Sequence, residues 1–518
     1  MTWTVADCVA AATRAAPERV AIEVLDPRRH GTDPVDSWTY RRFWTRVTTL
    51  ADALGRVEAG PNGPAVAIVA PNSVDHLAAY LACQVVGAAA VPVNNRLAAP
   101  EAAYILTDSG ASTVLAAGPN LPMAAEAAAT AGVELVDLGT VAEASPGAGP
   151  PAAPWPGPAG PETARRLALV AYTSGTTGFP KGSTVTNEGL MTRLAQWSWT
   201  FGLGPGQVLS TPGPVFHMSY GGLSLAHLAS GGRNRLMIDF DPRVALEEYA
   251  DHATWVFLVP SMTAMIVEEW ERAGRAPLAT VEWVLSSGAP GPLSLLDRAF
   301  DVFPRANITE AYGWTEGGWV TYEIKRRDRL VAHSVGWAVL GTEIDVRDDE
   351  GRHCPPGRPG EVVARSITPF GGYLGNPAAT AAAVTGDGFC RSGDVGIRDA
   401  DGRLRIVDRV KDMIISGGEN VYCAEVERVL VEHPAVAEAA VIGLPDPRWG
   451  ERVTAVVVAR AGATVDEAAV VDHCRAELAA YKCPKQVVVR RELPRNPMGK
   501  VQKYVLVDEL SAAGAVPS

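Results

Sequence analysis

The run Tyr172-Thr173-Ser174-Gly175-Thr176-Thr177-Gly178-Phe179-Pro180-Lys181-Gly182 gathers hydroxyls, glycines and one lysine in a single short stretch. Gly175, Gly178 and Gly182 let the backbone bend and bring its N–H groups close to anionic oxygens, the Ser and Thr hydroxyls donate further hydrogen bonds, and Lys181 supplies positive charge. The chemistry this suits is the grip of a polyphosphate. A solvated turn has a similar composition, so the run needs support from elsewhere in the chain. It departs from the Gly-x4-Gly-Lys-Ser/Thr form because Pro180 precedes the lysine, which weighs against a kinase or GTPase.

The elements that must position this loop follow from periodicity. The apolar run 167–171 predicts a strand before it and 187–199 a helix after it, so the phosphate-type loop is expected between strand and helix. Strands at 65–70 and 88–93 alternate with helices at 74–86 and 99–109, the rhythm of a parallel α/β fold. Residues 145–161 are almost all Pro, Gly and Ala and read as a surface connector. From Gly336 short Gly-punctuated strands (343–347, 361–364, 404–407) predict a small β-subdomain. A boundary follows at 409–411, then an α+β unit with helices at 424–432 and 465–478 and strands at 436–443 and 453–459.

The whole chain, 518 residues with a formal charge of -12, is long enough for several domains, and its charge argues against a nucleic-acid groove or an anionic membrane surface as its main partner. Seven cysteines without a Cys-x-x-Cys pair predict reduced thiols, hence a cytoplasmic setting, and no secretory leader is read at the start. The uncharged stretch 77–93 contains Gln84, Gly87 and Pro92 and is read as a buried helix followed by a strand, not a membrane span.

Further motifs follow the first loop in order: Pro214-Val215-Phe216-His217, Ser287-Gly288-Ala289-Pro290, Tyr312-Gly313-Trp314-Thr315-Glu316, Gly360-Glu361-Val362, Arg391-Ser392-Gly393-Asp394, Asp408-Arg409-Val410-Lys411-Asp412 and Gly499-Lys500. In this order and spacing, from about Ser37 to Tyr504, the chain resembles the adenylate-forming superfamily of acyl-CoA synthetases, adenylation domains and beetle luciferases. The resemblance implies an α/β fold: a large N-terminal domain (1–408) of two parallel-type α/β subdomains plus a small β-barrel subdomain, and a small mobile α+β C-terminal domain (409–518). It also implies ATP, Mg2+ and coenzyme A as cofactors. Thr173, Ser174, Gly175, Thr176, Thr177, Gly178 and Lys181 would grip the pyrophosphate side of ATP, with Gly288, Ala289, Pro290 and Gly313 beside the nucleotide. Tyr312 would stack on adenine, Thr315 contact the α-phosphate and Glu316 hold magnesium. Asp394 would accept from the ribose hydroxyls, with Arg409 as a ribose or phosphate contact. Lys500 would offset charge developing during adenylation, and His217 would stand near the reacting carboxylate. The hinge falls at Lys411, and Gly417-Gly418 would admit a pantetheine arm.

The acyl pocket implied by the resemblance includes His217, Met218, Tyr220, Gly221, Val259, Ser261 and Trp314. His217-Met218-Ser219-Tyr220 offers no aspartate to pair with an amino group, which disfavours an α-amino acid and points to an apolar or cyclic acid. Relatives commonly carry a smaller or more flexible residue than Trp314. Either the indole reshapes the acyl site, or it hinders ATP and leaves only the thioester-forming half reaction on a preformed acyl-adenylate. Beside the CoA ligase stand a carrier-protein loading enzyme, a luciferase-like oxidase, for which no residue speaks, and a nucleotide-binding protein without turnover. Carboxylic acid and CoA are the expected partners, with an acyl-carrier protein and a second copy of the chain as further ones.

Overall fold

The computed structural model describes the chain apart from residues 1–2, 30–31, 56, 61–62, 142–160, 174–179, 290, 410–411, 417–418, 447–448, 479, 496–500 and 513–518. The described residues form two compact units: Met1–Ala332 with Gly336–Ile344 and Ala364–Cys390, and His333–Val335 with Asp345–Val363 and Arg391–Ser518. By contacts, much of the β-rich stretch expected in the large domain therefore groups with the C-terminal residues.

Two sheets build the first unit. In one, strands Glu134–Asp137, Thr113–Ala116, Gly63–Val69, Ala89–Pro92 and Leu167–Thr173 run parallel in that order, and Lys181–Thr186 closes the edge antiparallel. Covered on both faces, such strands need unbroken apolar runs, and Val66 to Val69 and Val114 to Ala116 are accordingly buried. In the other sheet, Val20–Leu25, Arg233–Met237, Val208–Thr211, Trp255–Leu258, Trp283–Ser286 and Asn307–Trp314 run parallel, and Gly318–Ile324 returns antiparallel to Asn307–Trp314.

Helix punctuation follows the sequence closely. Val74–Val86 begins where the Ser73 side chain accepts the N–H of His76 and ends at Gly87, whose φ of 79° suits glycine. The uncharged stretch thus folds as this helix plus the strand Ala89–Pro92, and among the described residues no helix is long and apolar enough to cross a membrane.

One connection differs from expectation. The polyphosphate-type loop joins two antiparallel strands, Leu167–Thr173 and Lys181–Thr186, and only then does the helix Asn187–Phe201 begin, capped by Thr186. The alternation of Thr184, Val185 and Thr186 favours an extended chain over an early helix start.

In the second unit, Cys390–Arg398 pairs antiparallel with Leu404–Arg409. Farther on, Val436–Asp446, Gly450–Ala459 and Gln486–Arg490 share a sheet, the last parallel to its neighbour. Helix Cys423–Glu432 buries Val426, Val429 and Leu430 with Val441, Val453 and Val457. Helix Lys503–Ala512 sets Leu506 against Ile442 and Val456. All seven cysteines are free thiols.

Candidate active site

Thr173 and Lys181 stand opposite each other in register at the mouth of the glycine loop, while Ser174, Gly175, Thr176, Thr177 and Gly178 lie outside the described residues. Gly182 has a packing reason to be glycine, since a Cβ there would lie 2.7 Å from Val170 Cγ1 and 3.1 Å from the Tyr172 ring.

The hairpin between Asn307–Trp314 and Gly318–Ile324 carries the next residues. Trp314 pairs with Gly318, leaving Thr315-Glu316-Gly317 as a three-residue loop, and Gly318 takes a φ of 71°, as such loops favour. Gly313 sits so close to the returning strand that a Cβ would overlap the carbonyl of Gly318. The fold therefore places Thr315 and Glu316 together at a hairpin tip. Tyr312 and Trp314 follow on the same strand with ring centroids 5.8 Å apart. The Trp314 indole folds back over Gly317, where a Cβ would meet Cε2 at 2.7 Å. Its buried Nε1–H has no acceptor among the described residues.

Tyr373 stands between Lys181 of the strand Lys181–Thr186 and the hairpin, and sequence reasoning missed it. Its hydroxyl donates to Oε1 of Glu316 at 2.8 Å, and Lys181 Nζ lies 5.5 Å from its ring centroid. Burial, and next the negative charge of Glu316, push the Tyr373 phenol up, so it stays protonated and donates. The local signal was the pair Gly371-Gly372. Gly371 leaves no room for a Cβ beside Thr184, and Thr184 bonds the carbonyl of Gly372 through both its N–H and its hydroxyl. These contacts hold the Tyr373 segment against Lys181–Thr186.

The residues fit a magnesium nucleotide. Glu316 forms no ion pair among the described residues, and these contain no cluster of three His, Cys, Asp or Glu that could cage a metal. One carboxylate oriented by a hydroxyl suits Mg2+, which completes its octahedral shell with water and substrate phosphates.

His217 precedes helix Met218–Ala229 and caps it, its Nδ1 accepting the N–H of Ser219 at 3.3 Å. The same Nδ1 lies 2.6 Å from Ser219 Oγ, and burial pushes the imidazole pKa down to about 4, so His217 is neutral near pH 7. Met218 and Tyr220 are buried, and the Tyr220 ring packs at a tilt against Phe257, centroids 4.4 Å apart, with its hydroxyl on Met262 Sδ. Gly221 packs against the Val215 carbonyl. Val259 lies 3.7 Å from where a Cβ on Gly288 would stand, Gly288 has a φ of 94°, and Ala289 and Ser261 are exposed. Trp319 Nε1 donates to Ser287 Oγ behind this turn. Pro290 lies outside the described residues.

In the second unit, Asp394 is buried and pairs in register with Arg409. Its N–H bonds Ser392 Oγ at 3.0 Å, and Ser392 in turn donates to the Val362 carbonyl. Lys411, Gly417, Gly418 and Lys500 lie outside the described residues.

Residues 9–374 match the family model of the AMP-binding enzyme and residues 425–500 that of the AMP-binding enzyme C-terminal domain. The chain is 36% identical over 481 residues to a feruloyl-CoA synthase of Amycolatopsis sp, covering 92% of this chain and 94% of the relative. It is 34% identical over 485 residues to the long-chain-fatty-acid–CoA ligase FadD13 of Mycobacterium tuberculosis, covering 92% and 93%. Among solved structures, ATP-bound MatB from Rhodopseudomonas palustris superposes with a TM-score of 0.84 at 30% identity, over 98% of this chain and 99% of that one. The chain belongs to the AMP-binding enzyme family and is an AMP-forming acid–thiol ligase of the acyl-CoA synthetase class, using ATP, Mg2+ and coenzyme A.

Proposed function

We propose that the protein activates an apolar or cyclic carboxylic acid as its acyl-adenylate and passes the acyl group to the thiol of CoA in the cytoplasm. The observation that carries this reading is the grouping of Lys181, Tyr373 and Glu316, a cation and an oriented carboxylate at the mouth of a glycine loop. In the first half reaction a carboxylate oxygen of the acid attacks the α-phosphorus of ATP and pyrophosphate leaves. Lys181 and the glycine loop hold the departing phosphates, Thr315 contacts the α-phosphate, and Tyr312 packs on the base. Glu316, held by Tyr373, would ligate Mg2+, which supplies charge neutralisation between the phosphates. Neutral His217 stands near the acyl carboxylate, and Asp394 with Arg409 takes the ribose. Lys500 stabilises the charge that accumulates at the reacting centre.

In the second half reaction the small domain turns about Lys411, Lys500 withdraws, and the segment with Gly417-Gly418 admits the pantetheine arm. The sulfur then attacks the acyl carbon, the bond to the AMP oxygen breaks, and the thiol proton passes to solvent or to AMP. An apolar acid is supported by the uncharged surroundings of His217, Met218 and Tyr220.

ATP–pyrophosphate exchange over a panel of acids, run beside conversion of synthetic acyl-adenylates with CoA, tests the reading. Exchange with at least one acid and thioester formation from its adenylate are expected. Conversion of adenylates without exchange for any acid would replace it by the half-reaction enzyme, in keeping with the bulk of Trp314. Transfer to a phosphopantetheinylated carrier but not to CoA would replace the thiol acceptor.

A further inference from the structure

Helix Asn187–Phe201 turns Leu190, Leu194 and Trp197 inward, and on the same buried face it carries Arg193, only 2% exposed. No carboxylate lies within ion-pair distance of this guanidinium among the described residues. Its Nη1 donates to the carbonyl of Thr315 at 3.2 Å and its Nη2 to the carbonyl of Glu316 at 3.4 Å, while its buried Nε has no acceptor among the described residues. Gly318 makes room for it, since a Cβ there would stand 3.2 Å from Nε. A leucine or methionine would fill this place without the desolvation cost of a buried cation, which two neutral carbonyls only partly offset. The position therefore gains from a fork of donors and from charge. Burial lowers the Arg193 pKa to about 10, partly opposed by the negative charge of Glu316, so it remains a cation through neutral pH.

We propose that Arg193 is a positioning residue for adenylation: from beneath the hairpin tip it fixes the two successive peptide planes that present Thr315 and Glu316. In a trans peptide the N–H points opposite to the C=O, so holding these carbonyls inward turns the amides of Glu316 and Gly317 away from Arg193. The Thr315 hydroxyl and Glu316 carboxylate are thereby carried on a loop with both planes set before nucleotide arrives, and a buried positive charge lies behind it. This role rests on the proposed nucleotide and magnesium contacts of Thr315 and Glu316.

The test compares wild type with Arg193→Met, which keeps volume but removes charge and donors, and with Arg193→Lys, which restores charge and one donor. MgATP binding is followed without turnover by tryptophan fluorescence at a series of Mg2+ concentrations, beside exchange kinetics and melting temperature. Arg193→Met is expected to raise the KM for MgATP and the Mg2+ needed for half-saturation by at least about fivefold, leave the KM for the acid unchanged, and be partly rescued by Arg193→Lys. Wild-type MgATP affinity and Mg2+ dependence in Arg193→Met would overturn the proposal. So would a uniform fall in every constant that follows the melting temperature. If Arg193→Met does not fold, Arg193→Lys decides alone: unaltered Mg2+ dependence and KM for MgATP overturn the proposal, and a selective rise in both supports it. Failure of the parent reading shows separately, as wild-type protein that neither binds MgATP nor supports exchange.

Discussion

The Tyr373 hydroxyl donates to Oε1 of Glu316 across 57 residues of chain, tying the segment that follows the strand Pro359–Ser366 to the tip of the Thr315-Glu316-Gly317 hairpin. A hydrogen bond to a carboxylate is worth about 1.5–3 kcal/mol, so removing it frees the Glu316 side chain, the proposed magnesium ligand, without emptying the core. Tyr373→Phe is expected to weaken MgATP binding by roughly tenfold or more while the melting temperature stays within a few degrees. Fluorescence titration with MgATP checks this, and unchanged affinity would show that the bond does not orient Glu316.

The same hairpin depends on the absence of a side chain at Gly313. A methyl group there overlaps the carbonyl of Gly318 and must push the two strands apart, displacing Thr315 and Glu316 together. Gly313→Ala is expected to cost about 1–3 kcal/mol of stability and most of the exchange activity. Gly206→Ala is the control, because nothing lies within 4 Å of its Cβ position, and it should leave both quantities unchanged. Denaturant midpoints and exchange rates separate the two.

Much of the framework was legible in the sequence because its signals are local. Val74–Val86 and Ala99–Ser109 were predicted to the residue, since each sits between a turn and a glycine with positive φ, Gly87 or Gly110. The strand Lys181–Thr186 was hidden because a long glycine loop separates it from its partner, so periodicity alone suggested loop then helix. Tyr373 and Arg193 were invisible for a different reason. Their roles come from bonds to residues 57 and 122 or 123 positions away, and no spacing rule reaches across folded layers. The same holds for His217, whose position was read from its neighbours but whose neutrality depends on burial.

Lys500 provides a prediction that separates the two half reactions. If it neutralises charge only while the acid and ATP react, Lys500→Ala should slow adenylation by at least about a hundredfold and leave thioester formation from a preformed acyl-adenylate near wild type. Pyrophosphate exchange and thioester release, measured on the same preparation, check this. Equal loss in both assays would contradict the proposed alternation of the small domain about Lys411.

His76 gives stability a defined pH dependence. It is fully buried, its Nδ1 lies 3.0 Å from the Ala70 carbonyl, its Nε2 has no partner among the described residues, and burial lowers its pKa from 6.5 to about 4. Because the folded pKa lies below the unfolded one, the unfolded chain takes up a proton first as the pH falls. The stability contributed by neutral His76 is therefore intact above about pH 6.5 and is lost progressively down to about pH 4. The linkage amounts to about 3 kcal/mol over that window. His217 and His227, also lowered by burial, act in the same direction. His76→Asn keeps a donor for the Ala70 carbonyl but cannot titrate, so its stability should fall less steeply between pH 7 and pH 4 than that of wild type. Urea unfolding at several pH values measures both slopes. Parallel slopes would mean that His76 is already protonated in the folded protein, or that water reaches its Nε2.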